Sequence, residues 1–267
     1  MASRKDQKEA ARQRRLAEER AAAERSRRDR RLRMVGGTLL AAIAIVVVLI
    51  AVSSSGGSSG GSAPKPTSAA AKQAQTTVNS LLAGIPQHGT TLGSPSAKVT
   101  VTEYGDLVCP VCKTFALGAE NQLIANDVRA GKVKIVYRAL ETASGTANGT
   151  MFVPSQVAAQ AAGQQKHGWN YIELFYHEQG DETTSYVTPA YLTGLAGQIP
   201  GLNYSQWQSA RQDSSLTNIV GQDVQAAAAA GFNSTPTLVI QGPKSQAQPI
   251  VGNTDYGSLE SAIKSVS

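Results

Sequence analysis

The 267-residue chain has two cysteines, and both lie in Cys109-Pro110-Val111-Cys112. The pair follows a strand-like run, Val-Thr-Val-Thr-Glu-Tyr (99–104), and opens a helix-like run beginning Lys113-Thr114-Phe115. Two thiols one helical turn apart can close a small disulfide ring, and the unpaired N–H groups and dipole at a helix start favour a thiolate there. The spacing suits reversible disulfide chemistry, with Cys109 as the exposed nucleophile and Cys112 as the resolving thiol. Half of a zinc site is one alternative. A structural zinc needs four ligands, and only His88, His167 and His177 are left to complete it, none at short ligand spacing. No metal and no catalytic role is assigned to these histidines. An inert staple is the other alternative, but a ring of four residues removes little chain entropy.

The elements around the cysteines form a recognisable order. Period-2 alternation from Val99 puts Val99, Val101 and Glu103 on one face. If that face is buried, the Glu103 carboxyl lies on apolar surface six residues before Cys109, with its pKa raised, and can hold or pass a proton during exchange. If it lies at a wet strand end, it only solubilises the strand. Phe115, Ala119 and Leu123 continue at helical spacing, and Val133 to Leu140 reads as a second strand, which gives a β-α-β unit with parallel strands. From about 143 to 230 the texture is helical, including a helix from Pro189 with Thr188 as its N-cap. The segment 84–96 reads as extended or turn-rich. Strand character returns at Thr237 to Ile240 and briefly at 249–252, and Tyr256, Leu259, Ile263 and Val266 stripe a last helix. Thr235-Pro236 directly precedes the third strand, so Pro236 is either an ordinary strand-edge residue or a cis-proline held for function.

The net charge is concentrated at one end. Residues 1–33 carry 13 Lys/Arg against 6 Asp/Glu, the remainder of the chain is nearly neutral, and aromatic residues make up 5 % of the whole chain. No basic, aromatic-interleaved stretch lies in the folded part, which argues against nucleic-acid binding. Residues 34–52 contain no charge and are rich in Val, Ile, Leu and Ala, the length and composition of one transmembrane helix. The arginines just before it hold the N-terminus in the cytoplasm and place the rest outside the cell membrane; a cleaved signal peptide is the alternative. Either way the cysteines meet an oxidising compartment. The domain order is then a basic cytoplasmic tail (1–33), an anchor (34–52), a flexible linker and lead-in helix (53–83) and a folded domain (84–267) with a helical insertion at about 143–230.

These residues resemble the DsbA-like thiol–disulfide oxidoreductases of the thioredoxin superfamily. The likeness rests on LGSPSAKVTVTEYGDLVCPVC (92–112), the Trp169 to Phe175 region, GFNSTPTLVI (231–240) and the final strand and helix. It implies an α/β, thioredoxin-like fold with an inserted α-helical subdomain, and a membrane-anchored bacterial member that introduces disulfides into exported proteins without a cofactor. By the same resemblance, Cys109 forms the mixed disulfide, Cys112 resolves it through a Cys109–Cys112 disulfide, and Pro236 is the cis-proline packed beside them. The Thr235 backbone then pairs with substrate, and Glu103 is the buried acid of the first strand. Apolar side chains of the inserted helices would offer a surface to unfolded polypeptides, and a quinone-linked membrane reoxidase of the DsbB or vitamin K epoxide reductase-like type would be a partner. Two departures bear on redox poise. Val111 stands where the best-known oxidants carry a histidine, and Asp106, three residues before Cys109, is expected to raise its thiol pKa. A reductase or isomerase of the same fold, or an anchored binding module with a structural disulfide, are the competing functions.

Overall fold

In the computed structural model, which describes residues 68–145 and 149–267, Ser68 caps helix α1 (Ala69–Leu82) by accepting from the Ala71 N–H at 3.1 Å. Ala71, Ala74, Val78 and Leu82 recur at helical spacing and are all buried, so this helix packs onto the folded body. The Arg129 guanidinium donates to the carbonyls of Leu81 and Ala83 at 2.6 and 2.8 Å, satisfying acceptors that a helix end leaves open. The basic tail, the expected transmembrane stretch 34–52 and most of the linker lie outside the described residues. Among the described residues no helix is long and apolar enough to cross a membrane.

The segment 84–96, expected only to be extended or turn-rich, forms a short hairpin of β1 (Gln87–His88) and β2 (Thr91–Leu92). Strand β3 (Val99–Gly105) buries Val99, Val101 and Glu103, as its alternation implies. The helix α2 spans 110–128; it is α-helical over Pro110–Phe115 and Asn121–Leu123, with wider π turns at Ala116–Glu120 and Ile124–Val128. The extra residue in the first π turn brings Ala116, Ala119 and the carboxylate-bearing Glu120 to the buried side together. Strand β4 (Val133–Ala139) then runs parallel to β3, from Val99↔Val133 to Gly105↔Ala139.

Five helices follow before the sheet resumes: α3 (Phe152–Gly163), α4 (Gly168–His177), α5 (Pro189–Ala196), α6 (Tyr204–Ala210) and α7 (Ser214–Ala229). Thr188 caps α5, accepting from the Tyr191 N–H at 3.1 Å. The largest apolar side chains of this block turn inward, while Val153, Tyr204 and Ile219 stay exposed. Trp169, Tyr171, Ile172 and Phe175 are fully buried, because α4 is enclosed on several sides and is apolar almost all round, and Trp207 of α6 is fully buried as well. Both indoles have partners: Trp169 Nε1–H donates to the Thr90 carbonyl and Trp207 Nε1–H to that of Ala158, each at 2.9 Å. Strands β5 (Thr237–Gln241) and β6 (Ile250–Val251) complete a six-stranded sheet of order β1-β2-β4-β3-β5-β6, and α8 (Tyr256–Val266) buries Leu259, Ile263 and Val266.

Candidate active site

Because β4 is parallel and β5 antiparallel to β3, the end of β3, the end of β4 and the start of β5 converge at one end of the sheet's central strands. Three loops therefore meet there: 106–109, 140–145 and 234–236. Cys109 occupies the N-cap of α2 and Pro110 its first position, where a missing N–H costs nothing. The Thr235–Pro236 peptide is cis. The Cys109 thiol donates to the Thr235 carbonyl at 3.7 Å, and the Pro236 carbonyl accepts from the Gly252 N–H at 2.8 Å. Gly105 is required by close approach: a Cβ there would lie 2.6 Å from the Tyr137 ring.

Both cysteines are free thiols. Cys109 is less open than expected of an exposed nucleophile, since the loop carrying Thr235 and Pro236 covers it; it presents 6 % of its surface and Cys112 none. The two sulfurs differ more in acidity than in exposure. The Cys109 pKa falls from 9.0 to about 6, chiefly through a hydrogen bond from the Cys112 thiol. Burial opposes this shift, while the Thr235 side chain and the N–H groups of Cys112 and Val111 support it. The neutral thiol makes no capping hydrogen bond, so these amides are free to serve the charged form. Cys112 moves the opposite way, pushed well above 9.0 by burial first, then by its bond to Cys109 and the negative charges of Cys109 and Glu103. One sulfur ionises near neutrality while the other keeps its proton.

Asp106, expected to raise the Cys109 pKa, is not among the influences that set it. Its carboxylate is held by four donors: the Val108 N–H at 3.0 Å, the Thr142 N–H at 3.0 Å, the Ser144 N–H at 2.8 Å and the Ser144 hydroxyl. These bonds tie the two loops together.

Glu103 lies on the buried face of β3, where desolvation raises its pKa from 4.5 to about 7; a hydrogen bond with Glu120 lowers it and the Cys109 charge raises it. Glu120 and Glu173 are buried with it. Burial is the largest influence on both: Glu120 is pushed well above 4.5, and Glu173 up to about 8. The Glu103 and Glu120 carboxyls face each other without another donor, so their contact closes as a hydrogen bond only when one is protonated. The hydroxyls of Tyr137 and Tyr176 complete the chamber.

Several of these residues escaped sequence reasoning. Glu173 interrupts the apolar run Tyr-Ile-Glu-Leu-Phe-Tyr (171–176), which was a signal; Glu120 needs the π turn to face inward. Gln179, just beyond α4, donates from Nε2 to the carbonyls of Leu107 and Cys109 at 2.7 and 3.0 Å, binding the helical block to the cysteine loop. Nothing local in the sequence marks it. Of the histidines, His177 is near Lys113, whose charge with burial lowers its pKa; His167 lies beside Asn170 at 3.4 Å, and His88 is on β1.

The family model described as Thioredoxin matches residues 87–264. The chain belongs to the thioredoxin family. A probable disulfide bond formation protein D of Bacillus anthracis is 22 % identical over 179 residues, covering 64 % of this chain and 75 % of the relative. Disulfide bond formation protein D of Bacillus subtilis is 23 % identical over 181 residues, covering 65 % and 74 %. Among solved structures, oxidised BdbD from Bacillus subtilis superposes with a TM-score of 0.58 at 22 % identity, over 68 % of this chain and 95 % of that one. Wolbachia pipientis alpha-DsbA1 gives 0.55 at 15 % identity, over 69 % and 92 %. The thioredoxin-like α/β fold is thus the one found in DsbA proteins, and the DsbA-like thiol–disulfide oxidoreductase identity expected from the sequence stands.

Proposed function

We propose that this family member is a membrane-tethered, extracytoplasmic oxidoreductase that introduces disulfide bonds into exported polypeptides through Cys-Pro-Val-Cys. The carrying observation is the asymmetry of the pair: Cys109 heads α2 against Thr235, and Cys112 is sealed behind it. In the oxidised pair a client thiolate attacks Cys109 Sγ; the bond to Cys112 breaks, and Cys112 leaves with the electron pair and takes a proton from the Glu103 carboxyl. A second client thiolate attacks the client sulfur of the mixed disulfide, and Cys109 departs as a thiolate. The client loses two electrons and the cysteine pair gains them. A stabilised thiolate makes the disulfide oxidising. Val111 turns to solvent with 42 % of its surface exposed, so that stabilisation falls to Cys112, Thr235 and backbone amides rather than to an intervening side chain.

In this scheme Thr235 receives the client as an added strand, and Pro236 closes the site beside Cys109. Residues 34–52 anchor the protein, 1–33 remain cytoplasmic, 53–83 give the domain its reach, and 84–267 form the catalytic domain. A quinone-linked reoxidase of the DsbB or vitamin K epoxide reductase-like type regenerates the disulfide in the same membrane. The disulfide-formation names of the relatives agree with this class of activity.

Two measurements test it on the full chain. Cys112→Ala in the expressing cell should trap clients as high-mass adducts on non-reducing gels, and these should vanish when Cys109 is also replaced. No adducts from an alkylatable Cys109 would leave an inert binding module. In glutathione buffers the pair should titrate nearer about −120 mV than about −270 mV; the lower value would make the chain a reductase.

A further inference from the structure

Asp106 and Thr142 have no part in the exchange steps above, yet they are joined to the reactive sulfur by an unbroken set of contacts. The Asp106 carboxylate holds the 142–144 turn by the backbone N–H groups of Thr142 and Ser144, and the start of the cysteine loop by the Val108 N–H. Thr142 Oγ lies 3.5 Å from Asp106 Oδ2 and 2.6 Å from Thr235 Oγ. The Thr235 carbonyl accepts from Cys109, and its side chain stabilises the charged form of that sulfur.

We propose that Thr142, held in place by Asp106, is a positioning residue that acts on Cys109 through the hydroxyl of Thr235. The hydroxyl chain has two proton arrangements. A carboxylate only accepts, so with Cys109 uncharged or bonded to another sulfur, Thr142 donates to Asp106 and Thr235 donates to Thr142. When Cys109 becomes a thiolate both hydroxyls turn over: Thr142 donates to Thr235, and Thr235 donates to the sulfur. No proton leaves its oxygen. Asp106 tolerates the loss because its backbone and Ser144 donors remain, and each bond in the chain polarises the next. The inference takes from the proposed function only that Cys109 is the sulfur that ionises.

The groups that face Cys109 are Cys112 from its own helix, Glu103 from β3 and Thr235 from the loop before β5, and Cys112 and Glu103 stay unchanged in every variant. The test is the pH titration of thiolate absorbance in the reduced full chain. Thr142→Val, nearly the same shape without a hydroxyl, should raise the Cys109 midpoint by about half to one pH unit, a three- to ten-fold weaker acid. Thr142→Ser should restore it. In a Thr235→Val background, itself shifted upward, Thr142→Val should add nothing. An unchanged midpoint in Thr142→Val, failure of the serine variant to rescue, or additive shifts in the double variant each overturn the relay, while leaving the oxidant function standing. An ordinary thiol midpoint in the unaltered chain overturns both.

Discussion

The acidity of Cys109 rests first on Cys112, and a pair of substitutions isolates that contribution. Lowering a thiol from 9.0 to about 6 corresponds to about 4 kcal/mol of preference for the thiolate at face value, and to about half of that once the solvent reaching Cys109 is allowed to screen it. The leading cause is the thiol of Cys112 donating to the charged sulfur. A hydrogen bond to a charged group contributes about 1.5–3 kcal/mol, or one to two pKa units. Cys112→Ala deletes the donor and should move Cys109 to between about 7 and 8. Cys112→Ser keeps a donor of similar reach and should leave it near 6. Each variant has a single thiol, so absorbance of the thiolate against pH, checked by the rate of alkylation with iodoacetamide, reports Cys109 alone. Equal midpoints in the two variants, or an alanine variant still titrating near 6, would refute the hydrogen-bond origin and leave the helix terminus as the cause.

The other predictions concern the buried groups behind the site. Glu103→Gln removes the proton donor beside Cys112, and stopped-flow reduction of the disulfide by a dithiol peptide should slow by about a hundredfold or more near neutral pH. The same residue sets a stability slope: its pKa is raised on folding, from 4.5 to about 7, so the native chain holds the proton more tightly than the unfolded one. Stability is therefore undiminished below about 4.5 and falls as pH rises toward 7, by on the order of 3 kcal/mol for Glu103. Urea denaturation of the disulfide form, in which the thiols do not titrate, should show that slope flattened by Glu103→Gln. Gln179→Met removes both hydrogen bonds to the cysteine loop and should cost about 1–3 kcal/mol. Gln179→Glu sets a carboxylate against the same carbonyls and should cost more, with partial recovery at low pH. Trp169→Ala empties a fully buried site and strips the Thr90 carbonyl of its donor, for a loss of about 3–5 kcal/mol in the same assay.

What the sequence disclosed and what it hid divide along the range of the interactions. Periodicity placed β3, β4, β5 and the helices of the insertion, because burying one face is a local pattern repeated every two or every 3.6 residues. It put Glu103 on the face of Val99 and Val101 but left open whether that end of the strand is buried or wet, which only the packing of the helical block over it decides. The two-residue strands β1 and β2 carry too few residues for any period, and the hairpin exists only because β2 finds β4 at Leu92↔Ile135. Asp106 was misread for a related reason. Three residues from a cysteine in sequence, it looks like a charge acting on that cysteine, but Asp106 is not among the influences on the Cys109 pKa, and two of its partners arrive from 36 and 38 residues away. Thr142 and Gln179 are ordinary polar residues until the parallel β3–β4 pairing and the helical insertion bring them to the cysteine loop. The nucleophile could thus be read from its own neighbourhood. Its first partner, Cys112, could be read there too. The contact of Thr142 with Thr235 could not, because the two come from separate loops that meet only where three strand ends converge.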